Sequence, residues 1–229
     1  MLPLKDNVPT RSFPIVTVAL IAANVAVFVW ESADLDVRVI LYGYYPCDVV
    51  SSCIGIAIQR ELPWYESSFS SMFMHGGWAH LAGNMLFLWI FGNNVEDALG
   101  KLRYLVFYVL GGLAATLTQT LVTLHYTGPA GESIPNVGAS GAIAAVLGGY
   151  LVLLPGAKVL TWIVIVLREI PAFFFLGFWF VYQLWLGSGS LTKPDEGGGV
   201  AFFAHIGGFA FGMLAVRAFV VRQPLRPRW

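Results

Sequence analysis

Charged residues in this chain fall in clusters, and between the clusters lie long intervals with no Asp, Glu, Lys or Arg. Six of these stand out: Ser12–Trp30, Ser67–Val95, Tyr104–Gly131, Ser133–Ala157, Ile170–Thr192 and Gly197–Val216. A helix needs roughly 20 largely apolar residues to cross the hydrocarbon core of a bilayer, so the intervals predict six crossings. Composition agrees. The chain is 57% hydrophobic and 11% charged, where a soluble domain carries about 25% charge. Ser12–Trp30 has no small-x-small cleavage pattern before Glu31 and reads as the first crossing, not as a signal peptide. No segment is left over for a soluble domain, so residues 1–229 are expected to form one unit.

Alternating the sides sorts the charges. One side collects Lys5, Arg11, Lys101, Arg103, Lys158, Arg168, Arg217, Arg222, Arg226 and Arg228, ten in all; the other collects Arg38, Arg60 and Lys193. With the acids included, the sides carry +6 and −6, which the overall charge of zero conceals. The positive-inside rule then predicts a multi-pass protein of the cell membrane with both termini cytoplasmic, a short N-terminal segment 1–11 and a basic tail 217–229. Val159–Leu167 is too short to cross and is expected to lie at the interface. Cys47 and Cys53 fall in the outer segment Glu31–Glu66, where either a disulfide or two free thiols is possible.

Polar and ionisable side chains inside spans are costly and usually functional. The sequence offers few: His75, His80, Asn84, Ser140 and His205. Spans two, four and six all run from outside to inside, and His80, Asn84, Ser140 and His205 all fall near the start of their spans. The topology therefore places them in one layer, below the outer surface. His80 and Asn84, at i and i+4, share a helix face. Ser140, Ala144 and Gly148 form a small-residue stripe, while His205, Gly208 and Gly212 form another face. Small residues let membrane helices approach closely, which would bring His205 to Ser140. An alcohol nucleophile needs such a base. Backbone N–H groups at a helix start, with donors from His80 and Asn84, could hold an oxyanion.

Each motif has a plainer reading. Gly138-Ala139-Ser140-Gly141 and Gly208-Phe209-Ala210-Phe211-Gly212 are, taken singly, helix-packing motifs, and His80 with Asn84 could be an interhelical hydrogen-bonding pair. A metal site from His75, His80 and His205 would lack a carboxylate or thiolate ligand and any HExxH. A transporter would show polar residues through the full membrane depth. Nothing points to a cofactor, a metal or a nucleic acid.

Four segments, in order, resemble the rhomboid intramembrane serine proteases: His75-Gly76-Gly77-Trp78-Ala79-His80-Leu81-Ala82-Gly83-Asn84-Met85, the GxxxExxxG-like Gly92-Asn93-Asn94-Val95-Glu96-Asp97-Ala98-Leu99-Gly100, Gly138-Ala139-Ser140-Gly141, and Ala204-His205-Ile206-Gly207-Gly208-Phe209. The resemblance runs from Met72 to Gly212 and is to the bacterial type with a six-span core. It implies an all-α polytopic membrane protein, six transmembrane helices in a rhomboid-like bundle with a long first outer loop. It also implies a Ser140–His205 dyad working through an acyl-enzyme, with an oxyanion hole of His80, Asn84 and the Ser140 N–H. The substrates would be single-span membrane proteins cut near the outer end of the span. Span five would be a lateral gate (Phe174, Phe178, Trp179) and Gly187–Gly199 a cap. The alternative is an inactive relative that binds membrane clients. The sequence departs from the family where many members carry an aromatic residue four positions after the nucleophile: here it is Ala144, and no residue is identified to orient the imidazole. Oligomeric state is not legible.

Overall fold

The computed structural model describes residues 1–54, 61–192 and 201–227. Helix α1 (Ile15–Glu31) continues through a short 3-10 turn into α2 (Leu35–Tyr42). The outer segment then forms α3 (Cys47–Val50) and α4 (Trp64–Ser70), so much of the expected loop is short helices. A disulfide joins Cys47 to Cys53 there, with Cα atoms 4.9 Å apart. Helix α5 (Trp78–Leu99) and α6 (Lys101–Tyr126) follow, then α7 (Gly128–Glu132), α8 (Ser140–Leu153), α9 (Ala172–Thr192) and α10 (Phe202–Phe219).

Among the described residues, four segments are long and apolar enough to cross a membrane: Ile15–Tyr42, Lys101–Tyr126, Ala172–Ser190 and Phe202–Phe219. Helices α5 and α8 fall outside that set for a physical reason. Helix α8 is 14 residues long and every residue from Gly141 to Tyr150 is buried. It is solvated by other helices, so lipid thickness does not set its length. Helix α5 carries Asn84, Asn93, Asn94, Glu96 and Asp97, polar groups that lower its hydropathy; Glu96 and Asp97 are satisfied by α1 and the segment before it.

The expectation of an all-α chain needs one correction. Strands β1 (Leu2–Asp6), β2 (Lys158–Ile163) and β3 (Val166–Pro171) form an antiparallel sheet in the order β1-β2-β3. The N-terminal segment is thus a strand, and 159–167 is most of a hairpin. Only Gly100 separates α5 from α6, because α5 runs on to Leu99 and α6 starts at Lys101. The buried Glu96 accepts hydrogen bonds from Val16 N (3.0 Å), Thr17 N (2.8 Å) and Thr17 Oγ1 (2.8 Å), capping the start of α1. Asp97 accepts from Arg11 Nη1 at 2.6 Å. The expected cap at Gly187–Gly199 is also revised, since α9 stays helical to Thr192; positions 193–199 lie outside the described residues.

Helices α8 and α10 pack backbone to backbone. A Cβ on Gly208 would overlap the Gly141 carbonyl, and one on Gly212 the Ala145 carbonyl. A Cβ on Gly148 would overlap the Phe209 carbonyl. The contacting face of α8 is therefore Gly141, Ala145 and Gly148. The expected stripe of Ser140, Ala144 and Gly148 is displaced by one residue at its first two positions, which leaves the Ser140 hydroxyl free to face sideways.

Candidate active site

Ser140 is the first residue of α8, and the segment leading to it is pinned from the outer region. Asn136 N donates to Tyr44 O (2.7 Å), Tyr44 N donates to Asn136 O (3.3 Å), and Gly138 N donates to Ser71 O (2.9 Å). Tyr44 is itself held by a 2.8 Å hydroxyl contact to Thr120. Gly138 has φ +132°, in the region that disfavours side chains. A Cβ there would also lie 2.9 Å from His80 Cε1 and 3.0 Å from Nε2, with Ser140 Oγ at 3.6 Å. The glycine thus lets the His80 ring and the Ser140 hydroxyl share one corner.

Across the α8–α10 contact, His205 Nε2 lies 2.7 Å from Ser140 Oγ. Its other nitrogen, Nδ1, lies 2.8 Å from Gln183 Oε1 on α9. An amide oxygen only accepts, so Nδ1 carries the proton and Nε2 is left to accept from the serine hydroxyl. Gln183 is the residue that sequence reasoning missed. Its signal was the one amide side chain in the aromatic-rich span five. Trp179, one turn earlier, lies against the same imidazole with ring centroids 5.8 Å apart, so the support that Ala144 cannot give comes from α9.

A cavity of about 240 Å³ joins these groups, lined among others by His80, Asn84, Ser140, Trp179, Gln183 and His205. Asn84 is buried and, among the described residues, its side-chain Nδ2 has no hydrogen-bond partner. His80 Nδ1 accepts from the Gly76 N–H at 3.4 Å, which leaves Nε2 as the protonated nitrogen. The backbone N–H groups in the first turn of α8 have no acceptor within the helix. Donors therefore surround the serine.

The expected gate residues divide. Trp179 lines the cavity, whereas Phe174 and Phe178 lie outside its lining and are 65% and 58% exposed. Phe175 of α9 meets α5, with ring centroids 6.3 Å from Phe87 and 6.2 Å from Phe91. His75 sits beside the site and not in it: it is fully buried, its ring lies 5.1 Å from that of His80, and its backbone N–H donates to Glu31 at 2.6 Å.

The family of this architecture can now be stated. The Rhomboid domain family model matches residues 63–222, and the chain belongs to the rhomboid family. Among similar proteins, Rhomboid protein 1, mitochondrial, of Saccharomyces cerevisiae is 30% identical over 86% of this chain and 51% of its own length. RHOMBOID-like protein 1 of Arabidopsis thaliana is 31% identical over 74% of this chain and 38% of its own length. Presenilin-associated rhomboid-like protein, mitochondrial, of Bos taurus is 28% identical over 85% of this chain and 46% of its own length. The chain thus spans about half or less of these relatives.

Proposed function

We propose that this protein is an intramembrane serine endopeptidase that cleaves single-span membrane proteins near the outer end of the span. The observation that carries the reading is the 2.7 Å contact between Ser140 Oγ and His205 Nε2 inside a cavity lined by His80 and Asn84. His205 takes the serine proton as Oγ attacks the peptide carbonyl. The oxyanion that forms is held by His80 Nε2–H, Asn84 Nδ2–H and the Ser140 N–H. His205 then passes its proton to the departing amine, leaving an acyl-enzyme ester on Ser140. Water, deprotonated by the same imidazole, hydrolyses the ester. No step calls on a carboxylate or a cofactor.

In this reading α5 and α8 also cross, giving six spans, and the substrate enters laterally between α5 and α9. The Lys and Arg distribution supports a cell-membrane orientation with the sheet and both described ends on the cytoplasmic side, and the catalytic cavity opening outward.

Ser140→Ala and His205→Ala are each expected to abolish cleavage of a model single-span substrate in detergent or liposomes while the thermal unfolding midpoint is retained. Cleavage by either folded variant would refute the dyad. Substrate capture without cleavage by the wild-type protein would instead favour an inactive client-binding relative.

A further inference from the structure

We propose that Gln183 is a positioning residue for His205 and that, because it stands on the gate helix α9, the base is aligned only while α9 is docked. The proposal rests on the protease reading above. Both groups that hold the imidazole come from this one helix: the Gln183 amide, 2.8 Å from Nδ1, and the Trp179 ring. Among the described residues the cavity lining contains no carboxylate that could replace the amide, and Ala144 has no ring to offer. Helix α9 is held against α5 through Phe175 on Phe87 and Phe91, while Trp179 and Gln183 line the cavity.

Movement of α9 that admits a substrate helix therefore also draws Gln183 away from Nδ1. A hydrogen bond is gone once the heavy atoms separate beyond about 3.5 Å, so a shift of about an ångström is enough. The imidazole then loses both its tautomer preference and its orientation, and Ser140 loses its base. Return of α9 over a bound substrate restores them. A neutral amide suits this duty: its bond to the imidazole is weaker than that of a carboxylate, so it releases and re-forms within each turnover.

The test uses a small fluorophosphonate that reaches Ser140 without passing the gate. Gln183→Met keeps the shape and removes the acceptor, and it is expected to slow labelling by about 10- to 100-fold, by analogy with the loss of a hydrogen-bond partner that orients a metal-bound histidine. Gln183→Glu, which accepts from the same Nδ1–H, should restore most of the rate. Phe175→Ala, which loosens α9, should slow labelling; a simple gate predicts an unchanged rate, because this probe does not pass through the gate. Nitrogen-15 NMR of labelled histidine should find His205 protonated at Nδ1 in the resting wild-type protein. Wild-type labelling rates in both Gln183→Met and Phe175→Ala, or a resting His205 protonated at Nε2, would overturn the proposal. If wild-type Ser140 takes no label at all, the protease reading fails, and the NMR result still decides whether Gln183 sets the tautomer.

Discussion

Gly208 lies so close to the Gly141 carbonyl oxygen that a Cβ on Gly208 would overlap it. That contact fixes the separation of α8 and α10 three residues from His205 and one from Ser140, and so fixes the reach between the two side chains. Gly208→Ala should cost about 1–3 kcal/mol of stability, as overpacking of a tight core does, and cleavage should fall further than the folded fraction does. Gly177→Ala on α9 is the control: a Cβ there meets nothing within 4 Å, so thermal unfolding should be unchanged or raised. Equal tolerance at the two positions would mean that helix separation does not govern the site.

Asn84 should separate activity from stability. Its Nδ2 is buried with no partner, a state that is unfavourable in the resting fold. Asn84→Ala should therefore leave the unfolding midpoint unchanged or raise it. The same substitution should lower kcat by about 100- to 1000-fold, as loss of an oxyanion donor does. A variant that unfolds early but cleaves normally would assign Asn84 to structure alone.

Glu96 should behave in the opposite way. It lies at the far end of α5 from His80 and accepts three hydrogen bonds from the start of α1. Glu96→Gln turns an amide N–H₂ toward donors that need an acceptor. The loss should be about 1–3 kcal/mol, read as a lower midpoint in chemical or thermal unfolding, with cleavage per folded molecule near the wild-type value.

Asp6 gives a pH dependence. Burial between β1 and the helices pushes its carboxyl up to about 6, against the partial relief of hydrogen bonds from Tyr150 Oη (2.6 Å) and Asn94 Nδ2 (2.5 Å). A carboxyl whose pKa is higher folded than unfolded binds its proton more tightly in the fold. Its contribution therefore disfavours the fold progressively as pH rises from about 4 through 6. Asp6→Asn removes that term, so the difference in unfolding midpoint between wild type and variant should change in the variant's favour from pH 4.5 to pH 7. A difference that does not vary over this range would show that Asp6 titrates as in the unfolded chain.

The layer of polar residues was legible in the sequence because the physics is one-dimensional there. Charge-free intervals mark apolar helices, their alternation sets direction, and position along each helix sets depth. That reasoning placed His80, Asn84, Ser140 and His205 together before any contact was known. The hairpin was not legible, for a local reason. Its turn residues, Val164 and Ile165, carry no Gly or Asn signal, and Val164 adopts φ +55°, which β-branched residues rarely do. The capping role of Glu96 was not legible, because sequence cannot show that another helix begins against its carboxylate.

The sequence by itself determined a mostly helical membrane chain of the rhomboid family, and which polar groups share a depth, because burial in lipid punishes every misplaced charge. Only the tertiary structure decided how α8 and α10 face each other, which of their glycines touch, and that Gln183 of α9 holds the imidazole. Those outcomes depend on the rotation of helices about their own axes. That rotation is set by backbone contacts between segments far apart in the chain, and an apolar helix with small residues on several faces leaves it open until the neighbours are in place.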